Sequence, residues 1–344
     1  MPINPNAKLM PNVLDLKVIE QAPTRNGYGE GLVQAADENP QVVALCADLM
    51  ESTRTEQFAK KYPERFVEMG VAEQNMASVA AGMSLMGKIP FISSYAMFSP
   101  GRNWEQIRTT ICYNEANVKI CGAHAGVSVG PDGATHQAIE DIAMMRPIAN
   151  MKVFSPCDAR EAKKITYAIS KIDGPCYVRY GREKTPVFTT DATPCEIGKA
   201  QIFWDAPKEV RLPAGSRTSS KLDIAIIACG ALVYNAILAA AELEREGVKI
   251  RVINNPSIKP MDEETIIKAA RDAHAIVSVE EHQVAGGMGS AVAEVLVKNY
   301  PVPMEFIGVQ NQFGQSGNPQ ELMEHYGMGV AHIKEAVRKV ITRK

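Results

Sequence analysis

Between Arg25 and Arg182 short apolar runs alternate with longer stretches of helical spacing, and this alternation restricts the fold more than any other feature. The spacing predicts strands at Val42–Cys46, Phe66–Met69, Ile89–Ser93, Val118–Gly122, Lys152–Phe154 and Cys176–Tyr180. Helical patterns lie between them, for example at Arg102–Asn114, Gln137–Met145 and Ala159–Ser170. Strand and helix alternating in this way imply a mainly parallel, six-stranded sheet with helices on both faces. Residues 183–221 break the rhythm with Pro, Thr, Ser and Gly, the composition of a connecting segment with room for one or two short strands. The alternation then resumes with strands at Ile224–Ala228, Lys249–Ile253, Ala275–Val279 and Met304–Ile307, and helices at Tyr234–Glu246, Glu263–Ala270, Ser290–Lys298 and from Pro319 onward. The expected organisation is therefore α/β throughout. An arm over 1–24 leads into a doubly wound domain over 25–190, followed by a linker over 191–221 and a second, smaller doubly wound α/β domain over 222–344.

Composition removes several classes of function. The net charge is −2 and no Lys/Arg run interleaves with aromatics, which argues against nucleic-acid binding. No stretch approaches the roughly 18 apolar residues of a membrane span, and the first residues lack the apolar core of a secretion signal. The seven cysteines are scattered, odd in number and without a C-x-x-C, as expected for buried free thiols in a reducing cytoplasm. No Cys/His cluster, H-E-x-x-H or P-loop is present, so no metal site is expected within the chain. The stretch VEEHQVAGGMGSAV at 279–292 opens a helix with glycines but lacks the G-x-G-x-x-G spacing of a dinucleotide site.

The residues with chemical potential sit where strands end. Glu73 stands in RFVEMGVAEQNMAS at 65–78, in the first turn of the helix that follows an apolar run and Gly70. A carboxylate there complements the helix N-terminus, and it also lies where open α/β sheets present ligand-binding groups. Tyr95 and Phe98 follow the next strand at a spacing that suits either core filling or stacking on a flat ring. The polar loop GAHAGVSVGPDGATHQ at 122–137 brings together His124, Asp132 and His136, a combination suited to proton transfer or to a capped turn. Arg179 interrupts the strand CYVRYGREK, where a guanidinium could bind phosphate or carboxylate or simply face the surface. Asp48 and Ser52, in ADLMESTR after the first strand, are also ordinary helix-capping types.

Taken in order, GVAEQNM, GPDGATHQ and VEEH…GGMGSAV resemble the C-terminal portion of transketolases, and the resemblance spans essentially the whole chain. Transketolases use thiamine diphosphate to move two-carbon ketol units between sugar phosphates, in pentose recycling among other roles. The resemblance implies a pyrimidine-binding domain followed by the family's C-terminal domain. It implies that Glu73 binds N1′ of the cofactor's aminopyrimidine, that Tyr95 and Phe98 wall the ring, and that Asp48 lies on the cofactor side. His124, Asp132 and His136 match substrate-channel positions, with Glu73, His124 and His136 the catalytic candidates and His136 a proton relay. Arg25, Ser52 and Arg179 match the cluster that grips the sugar's distal phosphate.

Two departures accompany the resemblance. Tyr95 stands where the family often has Phe, and Gly101 falls near a further aromatic position. A complete transketolase also carries a G-D-G…N motif for magnesium and the diphosphate, and no G-D-G occurs here. The expectation is one half of a split enzyme, cytoplasmic and assembled as α2β2. A separate N-terminal subunit would hold the diphosphate and Mg²⁺, which requires oxygen ligands in octahedral geometry. The nearest alternative is the β subunit of a 2-oxo acid dehydrogenase, which has no use for a sugar-phosphate cluster. A 1-deoxyxylulose-5-phosphate synthase-like enzyme is a further alternative, and a non-enzymatic assembly role is the least supported.

Overall fold

Strand positions follow the apolar runs closely. The computed structural model describes residues 2–206 and 222–344. In chain order its strands are β1 (Gln21–Ala22), β2 (Val42–Cys46), β3 (Phe66–Glu68), β4 (Ile89–Tyr95), β5 (Lys119–Ala123), β6 (Lys152–Phe154) and β7 (Cys176–Arg179). They continue as β8 (Thr185–Pro186), β9 (Gln201–Asp205), β10 (Ile224–Ala228), β11 (Ile250–Asn254), β12 (Ser257–Lys259), β13 (Ile276–Gln283) and β14 (Met304–Val309). β2, β5, β7 and β10 are buried at every residue, because helices cover both faces of the sheets they belong to.

Two sheets result. The first runs β12-β6-β7-β5-β4-β2-β3 and the second β14-β13-β10-β11-β9. Six strands of the first sheet are mutually parallel, as the sequence predicts. The seventh, β12, is contributed by the C-terminal half and pairs antiparallel with β6. The N-terminal arm reaches the other way, with Asn4 N–H donating to the Phe203 carbonyl beside β9. One apolar cluster runs unbroken from Ile92 and Ile120 of the first sheet to Ile227 and Ile276 of the second.

β9 is a short strand inside the connecting segment and forms the antiparallel edge of the second sheet, beside β11; residues 207–221 of that segment lie outside the described residues. Two local expectations need correction. The helix expected over Gln137–Met145 forms only at Asp141–Met145. The Ala138 carbonyl is engaged elsewhere, accepting from Gly126 N–H at 2.8 Å and Arg179 Nη2 at 3.2 Å. The helix expected over Arg102–Asn114 begins at Trp104 and widens to a π-turn at Ile107–Cys112. There the Thr109 hydroxyl donates to the Glu105 carbonyl, a competing bond of the kind that distorts helices.

The helix Thr24–Glu38 packs unusually close to the helix Ala159–Ile169. A Cβ placed on Gly27 would lie 1.9 Å from the Ala159 carbonyl oxygen, so only glycine permits this approach. That contact sets the height of Arg25, two residues earlier, over the carboxyl edge of the sheet. All seven cysteines are free, six of them buried. Among the described residues no helix is long and apolar enough to cross a membrane.

Candidate active site

The carboxyl ends of β3, β4, β5 and β7 open onto one crevice, and its deepest group is Glu73. This residue begins the helix Glu73–Leu85 and is only 1% exposed. Ser94 Oγ donates to Glu73 Oε1 at 3.0 Å, and Arg102 Nη1 donates to Oε2 at 2.5 Å. Asn103 Nδ2 donates to the Glu73 main-chain carbonyl at 3.1 Å, so backbone and carboxylate are both held. The Arg102 guanidinium also lies over the Phe98 face, with Cζ 4.8 Å from the ring centroid. A planar, hydrogen-donating cation is thus sandwiched between a buried carboxylate and an aromatic face. The protonated edge of an aminopyrimidine has the same shape, charge and donor pattern, so these residues fit that ring.

The aromatic wall continues away from Glu73. Tyr95 and Phe98 have centroids 6.2 Å apart and planes 14° apart. Tyr95 also stacks on His124 at 3.8 Å, and half-buried His136 meets Phe98 edge-on at 5.5 Å. His124 follows β5 in a left-handed conformation (φ 54°), which turns its ring into the crevice. Its Nε2 lies 3.1 Å from Arg25 Nη1. Arginine can only donate, so Nε2 accepts and Nδ1 carries the hydrogen. That Nδ1 is buried and has no hydrogen-bond partner among the described residues, which leaves a donor free for a ligand. Burial, followed by the charges of Arg25, Arg182 and Arg54, lowers the His124 pKa to about 3, so the imidazole is neutral.

An anion site lies beyond His124. Arg25, Arg54 and Arg182 act on one another and on His124. Burial first, then Arg54 and Arg182, pull the Arg25 pKa below the ordinary arginine value. Arg182 is braced on the Val129 carbonyl at 2.8 Å and pairs with Glu183. Arg54 is braced on Asn26 Oδ1 at 2.9 Å. Three guanidinium groups around one neutral imidazole, with Glu183 paired to Arg182, form a natural seat for phosphate.

Several expected residues take different parts. Arg179 is not in the crevice, which corrects its expected phosphate role. It is 7% exposed and paired with Asp141 through Nε at 2.9 Å and Nη2 at 3.1 Å, while Nη1 donates to the Glu281 carbonyl at 2.8 Å. Burial alone would lower its pKa, but Asp141 and then Glu281 outweigh it and hold Arg179 above the ordinary arginine value. Ser52 contributes its main-chain carbonyl, 2.8 Å from Arg25 Nη1, rather than its hydroxyl. Asp48 is exposed in a left-handed conformation (φ 57°), and its N–H rather than its carboxylate is engaged, donating to Glu68 Oε1 at 2.7 Å. Asp132 is exposed at the end of the turn Val127–Asp132. That turn is pinned by Gln137 Nε2, which donates to the carbonyls of Val127 and Gln315.

The crevice also holds Ser94, Arg102, Arg54 and Arg182, which the sequence reading did not select. Arg182 could have been found from its place just past Gly181, beyond the end of a fully buried strand, where side chains emerge into the crevice. Arg54 stood inside the quoted ADLMESTR. Ser94 and Arg102 had no sequence signal.

Known proteins resemble this chain along most of its length. Residues 20–187 match the transketolase pyrimidine-binding domain and residues 215–333 the transketolase C-terminal domain. A Methanocaldococcus jannaschii protein named as a transketolase C-terminal section is 41% identical over 93% of this chain and 96% of its own length. A 6-deoxy-6-sulfo-D-fructose transketolase subunit from a Clostridium species is 34% identical over 95% of this chain and 97% of its own. A solved structure titled as a split-gene transketolase, an inactive β4 tetramer, superposes with a TM-score of 0.83 at 44% identity, covering 93% of this chain and 98% of that one. With Glu73 against an aromatic wall and those matches together, the chain belongs to the transketolase family, of which it carries the pyrimidine-binding and C-terminal domains.

Proposed function

We propose that this chain works as the C-terminal subunit of a split, thiamine-diphosphate-dependent transketolase. It would move a two-carbon ketol unit between sugar phosphates, such as xylulose 5-phosphate to ribose 5-phosphate or erythrose 4-phosphate, in the cytoplasmic pentose phosphate interconversions. The observation that carries this reading is the arrangement along the crevice. A buried carboxylate, an aromatic wall, a neutral histidine and three arginines follow one another from Glu73 to Arg182. That order suits a ring-bearing cofactor at one end and an anionic sugar terminus at the other.

When bound, thiamine diphosphate supplies the nucleophilic carbon, whose activation needs a proton held at the aminopyrimidine N1′. In this chain Glu73 is the group to hold that proton, with Ser94 fixing its other oxygen. Tyr95 and Phe98 orient the ring and keep water from its face. His124 Nδ1–H is a fixed donor to a substrate oxygen, and His136 is the group to move a proton at a sugar hydroxyl. Arg25, Arg54 and Arg182 hold the distal phosphate. Among the described residues no three His, Cys, Asp or Glu side chains are placed to hold a metal ion. We assign the diphosphate and its Mg²⁺ to a partner subunit in an α2β2 assembly.

Mixing the chain with its partner subunit, thiamine diphosphate and Mg²⁺ should yield transfer from xylulose 5-phosphate to ribose 5-phosphate, and Glu73→Ala should abolish it. A mixture that instead decarboxylates pyruvate and acylates a lipoyl domain would overturn the proposal.

A further inference from the structure

The Glu73–Arg102 pair joins two side chains of very different freedom. Glu73 is 1% exposed, whereas the Arg102 side chain is 44% exposed. Glu73 is tied by Ser94 at its carboxylate and by Asn103 at its backbone carbonyl. Asn103 is itself fully buried and bonded to Ser99, so the main chain beside Arg102 is fixed. Arg102 can leave by side-chain rotation alone; Glu73 cannot follow it.

We propose that Arg102 is a built-in occupant of the ring site, holding the place between Glu73 and Phe98 until an aminopyrimidine exchanges for it. This rests on the thiamine diphosphate reading and adds a gate to it. The exchange follows from the electrostatics of the acid. A buried carboxylate left without a cation or proton partner is strongly unfavourable, so the site does not stand open. Arg102 at the crevice mouth compensates Glu73 when the ring is absent, and a protonated ring nitrogen does so when it is present. The same two features that bind the ring, the carboxylate and the Phe98 face, also bind the guanidinium. Cofactor affinity is therefore reduced by the fraction of chains with Arg102 swung out, as for any site whose competent state is partly populated. Because the arginine end of the pair is half exposed, salt weakens the closed state.

The test is cofactor binding rather than turnover. Thiamine diphosphate with Mg²⁺ is titrated into the assembled two-subunit complex and followed by calorimetry, for the wild type, Arg102→Gln and Arg102→Lys. The gate predicts that Arg102→Gln tightens binding about tenfold, about 1.4 kcal/mol. Arg102→Lys, which keeps the charge, should fall between. Raising the salt should narrow the gap between wild type and Arg102→Gln. In the chain alone, the Arg102 Nη–H resonances should be protected from solvent exchange and should lose that protection in Glu73→Gln. Unchanged or weaker binding by Arg102→Gln overturns the gate, as does an unprotected Arg102 in the wild type. If wild type and variants alike bind no cofactor while Arg102 is protected, the cofactor reading itself has failed, and the gate with it.

Discussion

The Tyr95 ring lies against the His124 imidazole with centroids 3.8 Å apart and planes 22° apart. This stack joins the wall over the ring site to the arginine cluster, because His124 on its other side accepts from Arg25. Tyr95→Phe keeps the stacking face, so kcat should stay within about threefold of wild type. Tyr95→Leu removes a contact worth about 0.5–1.5 kcal/mol beyond area burial. It should raise both the cofactor Kd and the sugar-phosphate KM, by about threefold to tenfold each in steady-state and binding assays.

Arg179 and Arg182, three residues apart, should fail differently. Arg182→Met removes one guanidinium from the anion seat. The expected result is a KM for the sugar phosphate raised about tenfold or more, with the melting temperature nearly unchanged. Arg179→Met strands Asp141 as a buried charge without its partner. Breaking such a pair costs about 3–5 kcal/mol, so a lower melting temperature is expected, with little specific change in KM among the molecules that fold. Thermal denaturation read beside KM separates the two.

His124 ties stability to pH. Its pKa falls to about 3 in the folded chain, with burial the largest cause, against about 6.5 when unfolded. Between those values the unfolded state binds a proton that the native state does not, so acidification through this window favours unfolding. From pH 7 to pH 5 the cost is about 2 kcal/mol. His124→Asn should lose part of that slope, making its melting temperature less sensitive to acid than the wild type's. The neutral imidazole also means that His124 adds no acid limb to the activity profile between pH 5 and 8.

Gly27 should tolerate no side chain. The Cβ of Gly27→Ala would press on the Ala159 carbonyl at 1.9 Å, with the Lys163 main-chain nitrogen of the same helix at 2.9 Å, so relief requires the helices to move apart. Overpacking of this kind costs about 1–3 kcal/mol. The variant should melt at lower temperature. Displacement of the helix carrying Arg25 should raise the sugar-phosphate KM, whereas an alanine at Gly82, which has open space around it, should do neither.

Much of this protein was legible in the linear chain. The strands were readable because most are built around a short apolar run that is buried in the sheet, as in VVALC and IAIIA, and Glu73 was readable as the first polar group after Gly70. Tertiary structure decided the rest, because it depends on which surfaces meet. β12 joins the first sheet from the other half of the chain, across the gap between β6 and Ser257. Arg179 looked like a ligand group at a strand end, yet Asp141 and the carbonyl of Glu281, about a hundred residues on, close over it. Arg182 lies past the strand, near enough to Arg25 and His124 to act on both, and is the residue proposed for the role expected of Arg179. Glu73 shows the same division. Its position came from local pattern, but its partner Arg102, 29 residues away and over the Phe98 face, was set only when two loops met at the sheet edge.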